Sequence, residues 1–370
     1  MPPSSSRLPT YTSYTPASHR PAPTPERPNF KPSKIRRFGL KRSIVWAVLL
    51  IVATVIITGG FLGWKFYENV SKVTGDKNPL DLFSLFVGGP LQETNGRINI
   101  LLAGNSADDP NHQGAALTDS IMVVSVDPAQ KSAVLLSIPR DMWVDIPGYG
   151  YQKINAAYED GGMALLSQVV QQDFAITPDY TALIDYTAFK DAVNTVGGIR
   201  IDIQSPDPRG IYDAYTHLNL PNGWVTLDGQ QALDLARARG DASAGDVYYG
   251  IPDSDFTRTM YQREMLVALK NKAVTPGFLT NPFKVASLAD AVGNNVTTNM
   301  SLGNMVSLYN DAKNISNNNV QSLNLNSING QDLISDEYID GQDVLVPSAG
   351  YSDFSQIQSV ISSILYPTAE

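Results

Sequence analysis

The sequence predicts an α/β fold: a three-layer α/β/α domain with a mixed central sheet, preceded by one transmembrane helix. Three observations carry this reading. From residue 97 onward, short apolar runs bounded by Gly or Pro alternate with helix-patterned segments, the pattern of a sheet covered by helices. Between Arg42 and Lys65 lie 22 uncharged residues, SIVWAVLLIVATVIITGGFLGW; at about 1.5 Å per helical residue they reach roughly 33 Å, enough to cross a bilayer core. The composition, 43% hydrophobic and 17% charged over 370 residues, is too apolar for a disordered chain and long enough for more than one unit.

Charge divides the chain at the apolar run. Residues 1–43 carry +8 and the remainder −17. Residues 1–33 are rich in Pro, Ser and Thr, so 1–43 reads as a disordered basic tail. Residues 44–64 read as the membrane helix. A cleaved signal peptide is the competing reading, disfavoured by the long segment before it. Lys34, Arg36, Arg37, Lys41 and Arg42 crowd its N-terminal flank. The positive-inside rule then keeps the tail cytoplasmic and places the C-terminal part outside, in a single-pass protein of the cell membrane. Residues 65–96 form a juxtamembrane segment and 97–370 the extracytoplasmic domain, with its motif core in 97–273.

Within that domain, Ile98–Leu102, Ile121–Val126 and Ala133–Ile138 are apolar runs closed by Gly104, Pro128 and Pro139, and they predict buried strands. The DPAQKS linker joins the second and third as a hairpin. A helix is expected over 151–173, a strand over Asp179–Asp185, a helix over Phe189–Val196 ending at Gly197-Gly198, and a strand over Ile199–Ile203. A Pro/Gly-rich stretch, 205–224, follows. Helices follow over Asp228–Arg239 and Asp255–Ala273, then near 283–292, 302–313 and 354–365. Strands are expected near 320–325 and 342–346.

The chemistry narrows by exclusion. There is no cysteine and there are three histidines, one of them in the tail, which excludes thiol nucleophiles, thiolate metal sites and a histidine-rich metal centre. Phosphate-loop, dinucleotide, nucleophile-elbow and zincin motifs do not occur. Arginine and aspartate remain. Beyond the apolar run there are eight arginines, four of them between 237 and 263. Arginine binds phosphate in a planar, bidentate way and keeps its charge, although each one alone is as readily a surface ion pair. Arg140 and Asp141 follow a buried strand in Ser137-Ile138-Pro139-Arg140-Asp141, and Asp119 opens another in Leu117-Thr118-Asp119-Ser120. Strand ends are the usual ligand position in α/β sheets, and a carboxylate beside an arginine there suits Mg²⁺ held against a pyrophosphate. Gly148 and Gly150 read as a turn rather than a phosphate cradle. Asp253 and Asp255 read as caps of the following helix. Tyr248-Tyr249 is a candidate platform for a sugar ring.

These residues, in this order, resemble the LytR-CpsA-Psr family. INILLAG, LTDSIMVVSVDP, LLSIPRDMWVDIPGYGYQKINAAYEDGG, VGGIRIDI, LDGQQALDLARARG and DSDFTRTMYQRE match its ordered motifs. The resemblance implies a membrane-anchored, Mg²⁺-dependent phosphotransferase, with hydrolysis of the lipid pyrophosphate as a side reaction. Its donor would be a polyprenyl-pyrophosphate-linked glycan and its acceptor a cell-wall polymer, peptidoglycan, with no nucleic-acid partner. The lipid tail would lie in a hydrophobic tunnel between sheet and helices. By motif position, Arg140, Arg237, Arg239, Arg258 and Arg263 would bind the pyrophosphate, with Arg140 and Arg258 also catalytic. Asp141 would position an arginine or act as base. Asp119 would be a metal ligand, joined by Asp108 or Asp109. The sequence departs from the family pattern at Asn105, at Leu117 and at Tyr261, where an arginine is expected. These departures keep a second reading open, a non-catalytic protein that binds the same glycan lipid. A third reading, a transcriptional regulator acting through the tail, lacks a helix-turn-helix pattern.

Overall fold

The computed structural model describes residues 89–106, 116–240, 247–252, 254–273, 275 and 296–367. The expected tail, membrane helix, most of the juxtamembrane segment and the helix near 283–292 lie outside these residues. Among the described residues no helix is long and apolar enough to cross a membrane.

The predicted mixed sheet is present. Its six strands run in the order β12 (Val296–Thr298), β6 (Tyr180–Asp185), β1 (Ile98–Asn105), β2 (Thr118–Asp127), β3 (Ser132–Ile138) and β13 (Val320–Asn324). β1 pairs antiparallel with β2 and parallel with β6; β3 pairs antiparallel with β2 and parallel with β13. The β2–β3 connection is the hairpin expected from DPAQKS. Because side chains alternate along a strand, Leu101 and Ala103 face one layer while Ile98, Ile100 and Leu102 face the other. Two helices, α1 (Ala156–Phe174) and α6 (Ser355–Leu365), cover the first face through Leu166, Val170, Phe174, Ile357 and Ile361. On the second face Leu266 of α4 (Ser254–Ala273) and Met305 and Leu308 of α5 (Leu302–Ala312) lie against sheet residues. Helices on both faces give the three layers.

Three departures from the expected pattern position the site. The helix expected over 151–173 begins only at Ala156; a hairpin of β4 (Trp143–Ile146) and β5 (Gly150–Lys153) precedes it. Gly148 and Gly150 have φ of +87° and +80°, the left-handed backbone that a tight turn requires of glycine, and they form that turn. Second, the Pro/Gly-rich stretch 205–224 carries short strands: β8 (Ile211–Asp213) pairs with β9 (Leu218–Leu220) and with β11 (Tyr248–Tyr249). Third, the strands β7 (Ile199–Ile203) and β17 (Gln342–Pro347) do not join the central sheet. They form two-stranded ribbons with β10 (Gly223–Leu227) and β16 (Ile334–Ile339). Strand pattern records burial, not the partner.

Two helices remain. α2 (Tyr186–Thr195) starts directly at the end of β6, capped by Asp185, whose carboxylate accepts from the Ala188 N–H at 2.7 Å. α3 (Gly229–Arg237) opens with a capping box between Asp228 and Gln231, which satisfies orphan N–H groups of its first turn. Its last residue is Arg237, so Arg239 lies beyond the helix rather than in it.

Candidate functional site

At one end of the central sheet β1, β3 and β6 finish and β2 begins. A cavity of about 420 Å³ opens there. Asp119, Arg140, Arg237, Arg239 and Arg258 all line it, so residues far apart in the chain converge as expected. Each arrives by a different element. Asp119 is the second residue of β2. Arg140 stands two residues past β3, Arg237 ends α3, and Arg258 lies in the first turns of α4, 4% exposed. The main chain at Arg239 is pinned by the buried carboxylate of Asp213, whose Oδ2 accepts its N–H at 3.1 Å.

The polar centre is a connected set. Arg140 Nη1 donates to Asp119 Oδ1 at 2.6 Å, and Arg140 Nε lies 3.5 Å from Asp141 Oδ2. Lys153 Nζ donates to Asp141 Oδ1 at 2.7 Å. Burial opposes ionisation of Asp141, but the Lys153 hydrogen bond and the charges of Arg140, Lys153 and Arg239 outweigh it and hold the carboxyl below its usual range. Asp141 is thus a carboxylate engaged by two cations, and it does not line the cavity. It therefore stands behind Arg140, on the side away from the cavity lining.

Two residues of the wall, Tyr186 and Gln262, are not among the expected site residues. Tyr186 donates its hydroxyl to Asp119 Oδ2 at 3.0 Å while the Arg237 guanidinium lies 4.7 Å from its ring centroid. Burial, and then the neighbouring Asp119 charge, push its phenol well above the ordinary range, so it stays a donor. Gln262 accepts from Ser120 Oγ at 2.9 Å and donates to the Ala236 carbonyl at 2.9 Å, tying β2, α3 and α4 together. The spacing of four between Arg258 and Gln262 puts both on one helix face and was the available clue.

Other expectations are corrected. Arg263 does not line the cavity. It lies one position, about 100° of helix, past Gln262, is buried, and its Nη1 donates to Ser137 Oγ at 2.8 Å. Burial pushes its pKa down to about 10. Tyr261, at the expected arginine position, packs in a separate cluster with Ile203 and Leu235, and its hydroxyl accepts the Gln204 N–H. Asp108 and Asp109, and the expected capping side chains of Asp253 and Asp255, lie outside the described residues. The Tyr248-Tyr249 pair is split. Tyr249 stacks between Tyr212, at 5.5 Å, and the Arg209 guanidinium, at 3.9 Å, and only Tyr248 is open.

Among the described residues no group of three or more His, Cys, Asp or Glu could hold a metal by itself. Mg²⁺ does not require one, since it commonly takes one or two carboxylates and fills its shell with water and phosphate oxygens. Asp119 fits that mode. Each of its oxygens accepts one hydrogen bond, a carboxylate oxygen has capacity for a second partner, and the residue lines the cavity.

A second cavity, of about 290 Å³, lies on the α5 side of the sheet and is walled by Ile100, Val124, Met300, Met305 and Leu308. Leu102 and Leu266 line both cavities, so the arginine-lined space and the apolar one adjoin.

The chain is 33% identical over 202 residues to the regulatory protein MsrR of Staphylococcus aureus (strain COL), covering 54% of this chain and 56% of MsrR. It is 31% identical over 215 residues to the polyisoprenyl-teichoic acid–peptidoglycan teichoic acid transferase TagT of Bacillus subtilis (strain 168), covering 57% of this chain and 62% of TagT. The chain thus matches under two thirds of the length of these curated relatives. A solved structure of TagT bound to LI-WTA superposes with a TM-score of 0.55 at 26% identity, over 75% of this chain and 94% of that one. The sequence profile of the LytR_cpsA_psr family matches residues 65–358, the greater part of the chain and the whole of the arginine-lined site, and the protein belongs to that family.

Proposed function

We propose that this protein is a transferase that takes a glycan phosphate from a polyprenyl-pyrophosphate carrier and delivers it to a cell-wall acceptor, peptidoglycan, from the outer side of the membrane that anchors it. One observation carries the reading: four arginines and Asp119 line a cavity that adjoins an apolar one. A ligand that is doubly anionic at one point and greasy beside it matches both. TagT's name and its LI-WTA complex support the substrate class.

In the proposed reaction an acceptor hydroxyl attacks the phosphorus that bears the glycan. A new P–O bond forms, the bridging P–O bond breaks, and polyprenyl phosphate leaves with the bridging oxygen, the hydroxyl's proton passing to the departing phosphate or to water. Phosphoryl transfer asks a protein mainly for positioning and charge stabilisation, which suits a site without His or Cys. Arg140, Arg237, Arg239 and Arg258 would hold the pyrophosphate oxygens. Asp141 and Lys153 would orient Arg140, and Tyr186 would hold Asp119 and Arg237. Asp119 would hold Mg²⁺, which when bound neutralises phosphate charge.

Full-length protein in vesicles, given a radiolabelled polyprenyl-pyrophosphoryl disaccharide, Mg²⁺ and peptidoglycan, should move label to the peptidoglycan and release polyprenyl phosphate. The core position of Tyr261 favours a second reading, a binder without turnover. Binding of the lipid with neither transfer nor phosphate release would establish that reading instead.

A further inference from the structure

We infer that Tyr215 and Tyr248 form a stacking subsite for the first sugar of the donor, at the rim of the arginine-lined cavity; the inference rests on the pyrophosphate reading above. Tyr215 lines the cavity and yet is 68% exposed. A large aromatic ring open at a cavity mouth offers a flat apolar face to a ligand.

Its placement is tied to the phosphate-binding residues by one buried carboxylate. Asp213, 4% exposed, accepts the Tyr215 N–H at 2.9 Å and the Thr216 N–H at 3.3 Å on Oδ1, and the Arg239 N–H at 3.1 Å on Oδ2. The turn that presents Tyr215 and the backbone of Arg239 are therefore held by the same carboxylate. Tyr248 stands opposite Asp213 in the β8–β11 ladder, and paired residues project from the same face. Its ring lies against Gly240, the residue after Arg239: a Cβ there would sit 3.0 Å from Tyr248 Cδ2 and 3.1 Å from Ile251 Cβ, at φ +68°. Glycine lets the ring lie beside Arg239.

Tyr215 thus shares the cavity wall with Arg239 and Tyr248 lies against the next residue, Gly240, while Tyr212 and Tyr249 on the other face are closed by each other and Arg209. A sugar attached to the bound pyrophosphate emerges at this rim. The apolar face of a pyranose fits an aromatic face, and tyrosine offers that area at low entropic cost. The chemistry selects a neutral or N-acetylated sugar, with the ring rather than the hydroxyl making the contact.

The test compares farnesyl pyrophosphate with farnesyl-pyrophosphoryl-N-acetylglucosamine in equilibrium binding to the full chain in detergent. We expect the sugar to tighten wild-type binding roughly three- to tenfold. Tyr215→Ala and Tyr248→Ala should erase that increment and leave farnesyl pyrophosphate affinity unchanged, and Tyr215→Phe should retain it. Equal wild-type affinity for the two probes, an increment that survives both alanine variants, or equal weakening of both probes would each overturn the subsite while leaving pyrophosphate binding in place. Failure of wild type to bind either probe would overturn the pyrophosphate reading, and the subsite with it.

Discussion

Arg140 Nη1 sits 2.6 Å from Asp119 Oδ1, so the end of β3 and the start of β2 are joined by a charge-assisted hydrogen bond at the mouth of the sheet. Both side chains are about one-fifth exposed, open enough to meet a ligand. A phosphate entering there competes with Asp119 for the guanidinium, and a cation entering competes with the guanidinium for Asp119.

Loss of a cavity arginine should therefore read out in binding. Arg140→Ala and Arg258→Ala are each expected to weaken polyprenyl pyrophosphate binding by about ten- to hundredfold, equivalent to about 1.5–3 kcal/mol for a charge-assisted contact. Arg140→Lys should recover only part of this, since an ammonium lacks the planar fork. Calorimetric titration with a short-chain polyprenyl pyrophosphate decides it; unaltered affinity in both alanine variants removes these residues from the site.

Tyr186→Phe keeps the ring beneath Arg237 and deletes only the donor to Asp119. Folding should be nearly intact, while turnover falls by roughly tenfold, the value of one hydrogen bond to a charged group at about 1.4 kcal/mol. The Mg²⁺ concentration for half-maximal rate should shift with it. A lowered rate with an unmoved metal requirement would mean that Tyr186 acts on Arg237 alone.

Arg263→Met should spare ligand binding. The guanidinium is buried against Ser137 and does not reach the cavity. An apolar chain of similar length removes the desolvation cost of a buried charge and gives up the Ser137 hydrogen bond. Polyprenyl pyrophosphate affinity within about twofold of wild type is expected, against the losses predicted for Arg258→Ala. A comparable loss in both variants would return Arg263 to the site.

Asp173, near the end of α1, gives a pH prediction. It is 6% exposed, and its Oδ2 has no hydrogen-bond partner among the described residues. Burial, with a smaller push from the Asp145 charge, raises its pKa to about 6. Between the unfolded value of about 4 and this folded value, only the native state holds the proton, so stability falls as pH rises through that window and then levels off. Asp173→Asn should leave stability near pH 4 little changed and raise it by about 1–2 kcal/mol at pH 8. Thermal melts at the two pH values measure the difference; a variant destabilised at pH 8 would show that the ionised group is well accommodated.

Much of the architecture is legible in local pattern. Apolar runs such as INILL and AVLLSI mark strands because burial on a pleated sheet repeats every two residues. SIPRD places an arginine just past such a run, and β3 does end there. What local pattern does not encode is pairing. The apolar runs of β7 and β17 resemble central strands, yet each pairs in a separate ribbon, because partner choice is made across the fold.

The amino-acid order by itself determined the strand–helix alternation, the family, and a candidate set of five arginines and Asp119. Tertiary structure alone decided which neighbours joined them. On α4, Arg258 and Gln262 face the cavity, Tyr261 turns to a second core, and Arg263 turns to Ser137. Each residue advances a helix by about 100°, so side chains adjacent in sequence are committed to different surroundings. Likewise Tyr186 gained its role, and Tyr248 and Tyr249 were separated, by what lay opposite them once the sheets and helices had packed.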